Sequence, residues 1–144
     1  RSSAAQGELN KVLEIGTGCG YQCAVLAKVA KVVHSVERLV QLTAQARKNL
    51  RNARVTNARL RHGDGHAGMP TEAPFDVILL TAAATHVPNA LREQLAAGGR
   101  MILPMAKGIR GDEQYLLVID RTTRGFIEKR MDAVKFVPLL PGTG

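Results

Sequence analysis

Apolar and polar residues follow two different rhythms along this chain, and the switches between them mark its elements. The run KVLEI, 11–15, is short, apolar and stopped by Gly16, the pattern of a strand buried on both faces. After GTGCG, the stretch 21–30 places Cys23, Leu26, Ala27 and Ala30 at i, i+3, i+4 and i+7, which predicts a helix. VVHSVE, 32–37, predicts a second strand. Residues 39–53 predict an amphipathic helix with Leu39, Leu42, Ala46, Leu50 and Ala53 on one side and Arg47, Lys48 and Arg51 turned elsewhere. A third strand over 58–62 ends in Gly63-Asp64-Gly65. FDVILLTAA, 75–83, is the most apolar segment and is expected at the centre of the sheet. Pro88 suits the first turn of a helix running to Ala97, where Gly98-Gly99 supplies a stop. RMILPMA, 100–106, is the fifth strand.

Beyond residue 107 the rhythm changes. QYLLVID, 114–120, and a second extended stretch over 126–137 are joined by RTTRG with no room for a helix, which demands an antiparallel hairpin. Strand–helix repeats closed by a hairpin predict an α/β domain with a mostly parallel sheet and a C-terminal antiparallel β-hairpin.

The 144 residues allow one core, so 1–144 reads as a single domain. The chain opens RSSAAQGELN, without Met, and 1–10 read as the remnant of an absent upstream segment. No run of about 18 apolar residues is present, so no membrane helix is expected. Cys19 and Cys23 are too few for a disulfide framework and read as reduced thiols of a cytoplasmic protein. The net charge of +8 attracts polyanions or acidic substrates. Aromatics are only 3% and none lies within the basic run Arg47, Lys48, Arg51, Arg54, Arg59, Arg61, so that run reads as a solvated face and no dedicated nucleic-acid site is expected. The histidines have no metal-ligand spacing, and no metal is expected.

The segment Glu14-Ile-Gly16-Thr17-Gly18-Cys19-Gly20 follows a strand and opens a helix. Glycines there let the backbone turn tightly and approach a ligand. The spacing is G-x-G-x-G, not the G-x-G-x-x-G of nicotinamide sites, and Glu14 stands where dinucleotide folds want an apolar residue. An acid there repels a pyrophosphate and favours a ligand with positive groups. S-adenosyl-L-methionine, with a sulfonium and an ammonium and no phosphate, fits. Glu37, ending the second strand near solvent, is placed to accept from both ribose hydroxyls. Asp64 is placed to accept from the adenine amino group, with Gly65 keeping the floor open. All three positions fall at the carboxyl ends of neighbouring strands, where such sheets bind ligands.

VLEIGTGCGYQ, VHSVER, RHGDG, PFDVILLTAAATHVP, LAAGGRMILPM and VKFVPL, in this order, resemble the protein-L-isoaspartate O-methyltransferase family of class I methyltransferases. The resemblance spans Lys11 to Leu140. It implies a Rossmann-like sheet with strand order 3-2-1-4-5-7-6 and the last strand antiparallel. It implies that Glu14 to Gly20, namely Glu14, Gly16, Thr17, Gly18, Cys19 and Gly20, wrap the methionine part of the cofactor. Glu37 would hold the ribose, and Asp64 and Gly65 would meet the adenine. Val137, Pro138 and Leu139 would lie beside the substrate, an isoaspartyl-containing peptide or protein. The family's Ser near the transferred methyl belongs upstream of Arg1, so no catalytic residue is expected within the chain. The whole protein is expected to be a monomer.

Methyl transfer to a carboxylate needs no general base, because the nucleophile is ionised at neutral pH. Placement is then the main task, and backbone groups near Thr81, Ala82 and 137–139 are the expected substrate holders. A methyltransferase acting on RNA would use the basic charge. It would normally end its fourth strand in a dedicated catalytic signature, where this chain reads TAAAT. A non-catalytic cofactor-binding module is the remaining alternative.

Overall fold

A computed structural model of the chain describes residues 9–107 and 113–132. Its strands are β1 (Leu9–Ile15), β2 (Ala30–Glu37), β3 (Ala58–His62), β4 (Phe75–Leu80), β5 (Leu95–Lys107), β6 (Glu113–Thr122) and β7 (Gly125–Asp132). The helices are α1 (Tyr21–Ala27), α2 (Val40–Asn52) and α3 (Asn89–Arg92), with one 3-10 turn over Gly65–Ala67. The strands form one sheet in the order β3-β2-β1-β4-β5-β6-β7. β1 to β5 are parallel neighbours. β6 runs antiparallel to β5, and β7 antiparallel to β6. The apolar β4 takes the middle position.

The order implied by the resemblance puts the last strand next to the fifth, whereas here β6 takes that place and is the strand reversed against the parallel set. Its apolar residues explain the choice: Leu117 and Ile119 face Leu103 and Met101 in register and are buried with them, while β7 carries Glu128, Lys129 and Arg130 and stays at the edge. The helix expected from Pro88 to Ala97 is a single turn, and the chain is already extended at Leu95, where the β5 pairing with β4 carries an irregularity before Arg100. Pro88 caps the turn; Leu91 and Leu95 are fully buried in the core, and that burial sets where the chain goes next.

The core has two parts. One packs Leu13, Phe75, Ile78, Leu91, Met101, Leu103 and Ile119. The other, under α1 and α2, packs Val12, Cys23, Val33 and Leu50. The inner side of α2 is Thr43, Ala46 and Leu50, and Leu39 and Ala53, expected inward, are exposed at the helix ends. Arg47, Lys48, Arg51, Arg54, Arg59 and Arg61 are exposed over α2 and the edge strand β3. No described helix is long and apolar enough to cross a membrane.

Candidate functional site

The chain winds from β1 outward to β2 and β3, then returns to β4 on the other side of β1. A crevice opens where the winding reverses, at the carboxyl ends of the strands. A cavity of ≈ 480 Å³ lies there. Its wall includes Gly16, Gly18, Glu37, Asp64, Gly65, Thr81 and Ala82, with Ile15, Val36, Leu39 and Leu80 as apolar surface. Glycine-loop and strand-end residues predicted from the sequence thus share one hollow. Glu14, Thr17, Cys19 and Gly20 do not line it.

The loop after β1 is shaped by its glycines. Gly16 has φ +100°, and a Cβ there would collide with Thr81 Oγ1. Thr81 uses that hydroxyl to donate to the carbonyls of Ile15 and Gly16, both at 3.1 Å, so β4 clamps the loop's start. Gly18 has φ +57°, and a Cβ there would meet nothing within 4 Å. Its φ already disfavours side chains, and the open space beside it faces the cavity.

Glu37 fixes the loop from the other side. Oε1 accepts the N–H of Gly18 at 2.9 Å, and Oε2 accepts the N–H of Leu39 at 3.0 Å. The residue is only 6% exposed, so it is not the near-solvent strand end that the sequence suggested. The reason is that α2 starts at once after β2 and folds its first turn over the carboxylate.

Glu14 lies beneath the loop, with no exposed surface. Ser35 Oγ donates to its Oε1 at 2.6 Å, and Ser35 and Thr17 share a hydrogen bond of 2.5 Å. Oε2 is buried without a partner. Burial pushes the Glu14 carboxyl up to about 7; the Ser35 hydrogen bond opposes this and the nearby Glu37 adds to it. Glu14 is therefore a buried support of the loop in this geometry, linked to Thr17 through the Ser35 hydroxyl. Ser35 was missed from the sequence because strand alternation says nothing of which hydroxyl meets a buried acid.

Asp64 Oδ1 accepts the N–H of His66 at 2.9 Å and meets its Nδ1 at 3.1 Å, capping the 3-10 turn. Those bonds hold the Asp64 carboxyl below the usual range. His66, Arg38 and His86 also border the cavity, none of them signalled by the sequence pattern. Cys19 is exposed, its carbonyl taking the Asn49 amide at 2.9 Å; Cys23 is buried, which pushes its thiol up to about 12. Val137, Pro138 and Leu139 lie outside the described residues. Among the described residues no three His, Cys, Asp or Glu side chains gather as metal ligands.

The open sheet, the glycine loop after its first strand and the acid closing its second define a Rossmann-like nucleotide-cofactor fold, and solved methyltransferases share it. A Clostridium acetobutylicum S-adenosylmethionine-dependent methyltransferase superposes with TM-score 0.60 at 14% identity over 90% of this chain and 69% of that one. The model of the protein-L-isoaspartate(D-aspartate) O-methyltransferase family matches residues 6–144, and the chain belongs to that family. It is 52% identical over 138 residues to the protein-L-isoaspartate O-methyltransferase of Dechloromonas aromatica, covering 96% of this chain and 62% of the relative. Identity to the Chromobacterium violaceum protein of the same name is 54%, over 93% of this chain and 59% of that one. The chain therefore spans about 60% of the length of these relatives. A solved protein-L-isoaspartate O-methyltransferase superposes with TM-score 0.73 at 30% identity, over 85% of this chain and 41% of its own.

Proposed function

We propose that the cavity binds S-adenosyl-L-methionine and that the protein carrying this chain methylates the free carboxylate of isoaspartyl residues in peptides and damaged proteins. The bond from the Gly18 N–H to Glu37 Oε1 carries the cofactor assignment. In a nicotinamide site the glycine-loop N–H groups face a pyrophosphate. Here a buried carboxylate already takes one of them, and a second anion would meet its charge. A ligand bearing ribose hydroxyls and positive groups meets no such conflict. Each Glu37 oxygen keeps a lone pair for a hydroxyl, and Gly18 leaves room for close approach. The volume is of the order of small-molecule sites, about 300–1,000 Å³.

When bound, the cofactor supplies an electrophilic methyl on sulfur. The chain's residues place the reactants: Glu37 holds the ribose, Asp64 and Gly65 border the base, and the glycine loop carries the methionine end, with Gly16 and Gly18 on the cavity side and Glu14 as the buried support beneath. Thr81 and Ala82, at the exit of β4, border the acceptor carboxylate, which is ionised without help from a base. The family name and the relatives' names support the isoaspartyl substrate. Free Cys19 and Cys23 suit a cytoplasmic setting.

Calorimetric titration with S-adenosylhomocysteine and with NAD tests the cofactor; tighter binding of NAD overturns it. Methyl transfer to an isoaspartyl peptide, against its aspartyl twin and bulk RNA, tests the substrate. Equal labelling of the two peptides, or preferred labelling of RNA, overturns that part.

A further inference from the structure

The loop after β4 forms a ridge between two hollows. Ala84 N–H donates to the Pro104 carbonyl at 2.9 Å and Ala106 N–H to the Ala84 carbonyl at 2.8 Å, lacing residue 84 to β5 beside Met105. On one side of the ridge is the cavity described above. On the other is a hollow of ≈ 500 Å³ over β5, β6 and β7, and His86 borders both.

The floor of this second hollow is apolar, from Val87, Met105, Tyr115 and Leu117. Its rim is cationic. Arg92 already holds Glu128, Nη2 to Oε2 at 3.0 Å, and the Arg92 Nε is buried without an acceptor. Arg130 lies over the Tyr115 ring, 3.9 Å from its centroid, and forms no ion pair with any described side chain. At that distance the ring face holds the guanidinium by a cation–π contact, and its N–H donors remain available to a carboxylate. The hollow therefore offers an apolar bed for extended chain and a guanidinium fork that no described side chain pairs, one wall away from the cavity.

We propose that this hollow docks the stretch of substrate peptide flanking the methyl acceptor and selects peptides with an Asp or Glu there, read by Arg130. The proposal rests on the reading of the cavity as a peptide carboxyl methyltransferase site. His86 borders both spaces, so an extended peptide, advancing about 3.3 Å per residue, that crosses the ridge there brings a flanking side chain over the hollow. The apolar floor and the paired Glu128 favour a peptide over a polyphosphate backbone.

The test is equilibrium binding to fluorescent isoaspartyl peptides, with saturating S-adenosylhomocysteine, using the full-length protein. Flanks carry Glu, Gln or Lys on either side, and each peptide has an ordinary aspartyl twin. On one side the Glu flank should bind about ten-fold more tightly than the Lys flank, the difference expected of a partly desolvated charge pair. Arg130→Ala should remove most of that difference. Arg130→Lys, which keeps the charge without the fork, should restore part of it. Glu128→Gln, which frees Arg92, should enlarge it. Equal affinity for Glu and Lys flanks, or a preference unchanged in Arg130→Ala, overturns the proposal. Displacement of the Glu-flanked peptide by bulk RNA more readily than by excess unlabelled peptide also overturns it. If the aspartyl twins bind as well as the isoaspartyl peptides, the substrate reading fails, while a Glu-over-Lys preference common to both series still marks the hollow. No binding by any peptide overturns both.

Discussion

One carboxylate ties two elements together: Glu37 accepts the N–H of Gly18 at 2.9 Å with one oxygen and the N–H of Leu39 at 3.0 Å with the other. The glycine loop and the start of α2 are thus held by the same side chain, from inside a surface that leaves it 6% exposed. Glu37→Gln puts an amide N–H against one of those donors. The expected cost is about 1–3 kcal/mol in stability, read by urea denaturation, because a buried donor loses its acceptor. S-adenosylhomocysteine should bind at least about ten-fold more weakly by calorimetry, since the proposed charge-assisted bonds to ribose would be lost. An unchanged dissociation constant would leave Glu37 a purely structural fastener.

Gly18 and Gly16 should respond differently to substitution. At Gly18 a Cβ meets no protein atom, and the φ of +57° is one that L residues adopt at modest strain. Gly18→Ala should therefore cost about 1 kcal/mol in stability while its methyl obstructs the cavity and weakens ligand binding. At Gly16 the added atom strikes Thr81 Oγ1, and φ is +100°. Gly16→Ala should destabilise more, and adding Thr81→Ala should recover the collision but not the backbone strain. Equal destabilisation at the two glycines would contradict this geometry.

The pH dependence of stability follows from Glu14. Its carboxyl is raised from 4.5 to about 7 by burial, so the folded chain keeps a proton that the unfolded chain gives up. Stability then falls as pH rises from about 4.5 to 7, by about 3 kcal/mol in all, and the loss is complete above that range. Glu14→Gln keeps an acceptor for Ser35 and removes the charge. Its melting temperature should lack this downward slope between pH 5 and 8. Parallel profiles for the two proteins would show that Glu14 does not titrate in that window.

Thiol labelling separates the two cysteines. Cys19 is exposed, whereas Cys23 is buried with its thiol pushed up to about 12. A disulfide reagent at neutral pH should modify Cys19 in the folded protein and reach Cys23 only after denaturation, because the thiolate is the reactive form. Fast modification of both in the native state would mean that α1 opens readily.

Periodicity and punctuation carried much of the architecture. Gly16 and Glu37 mark the ends of β1 and β2, and the alternation of short apolar runs with amphipathic stretches maps the parallel strands. What local pattern could not convey was contact across the sheet. Nothing in VLEIG shows that Glu14 faces inward onto Ser35, since a fully buried strand has no polar face to set the register by. Nothing in PNALREQLAA shows that the helix stops after one turn, because burial of Leu91 and Leu95 overrides propensity there. The order of β6 and β7 depends on which strand has the apolar face for β5, a comparison between segments. The hollow beside His86 was likewise invisible, because Arg92, Tyr115 and Arg130 meet only through the hairpin.

The two outermost of the described strands bear on how copies of this protein behave at high concentration. β3 presents Arg59 and Arg61 at one rim of the sheet, and β7 presents Glu128, Lys129 and Arg130 at the other. A foreign strand adding to either rim would have to strip water from those charges, and at β3 two copies meeting rim to rim would also repel. Ile127 and Met131, each 53% exposed on β7, are the apolar residues such growth would exploit, and Lys129 sits between them. The rims thus act as stops on sheet-to-sheet polymerisation, and neutralising Lys129 should be the substitution that first turns a clear concentrated solution into one that forms fibrils.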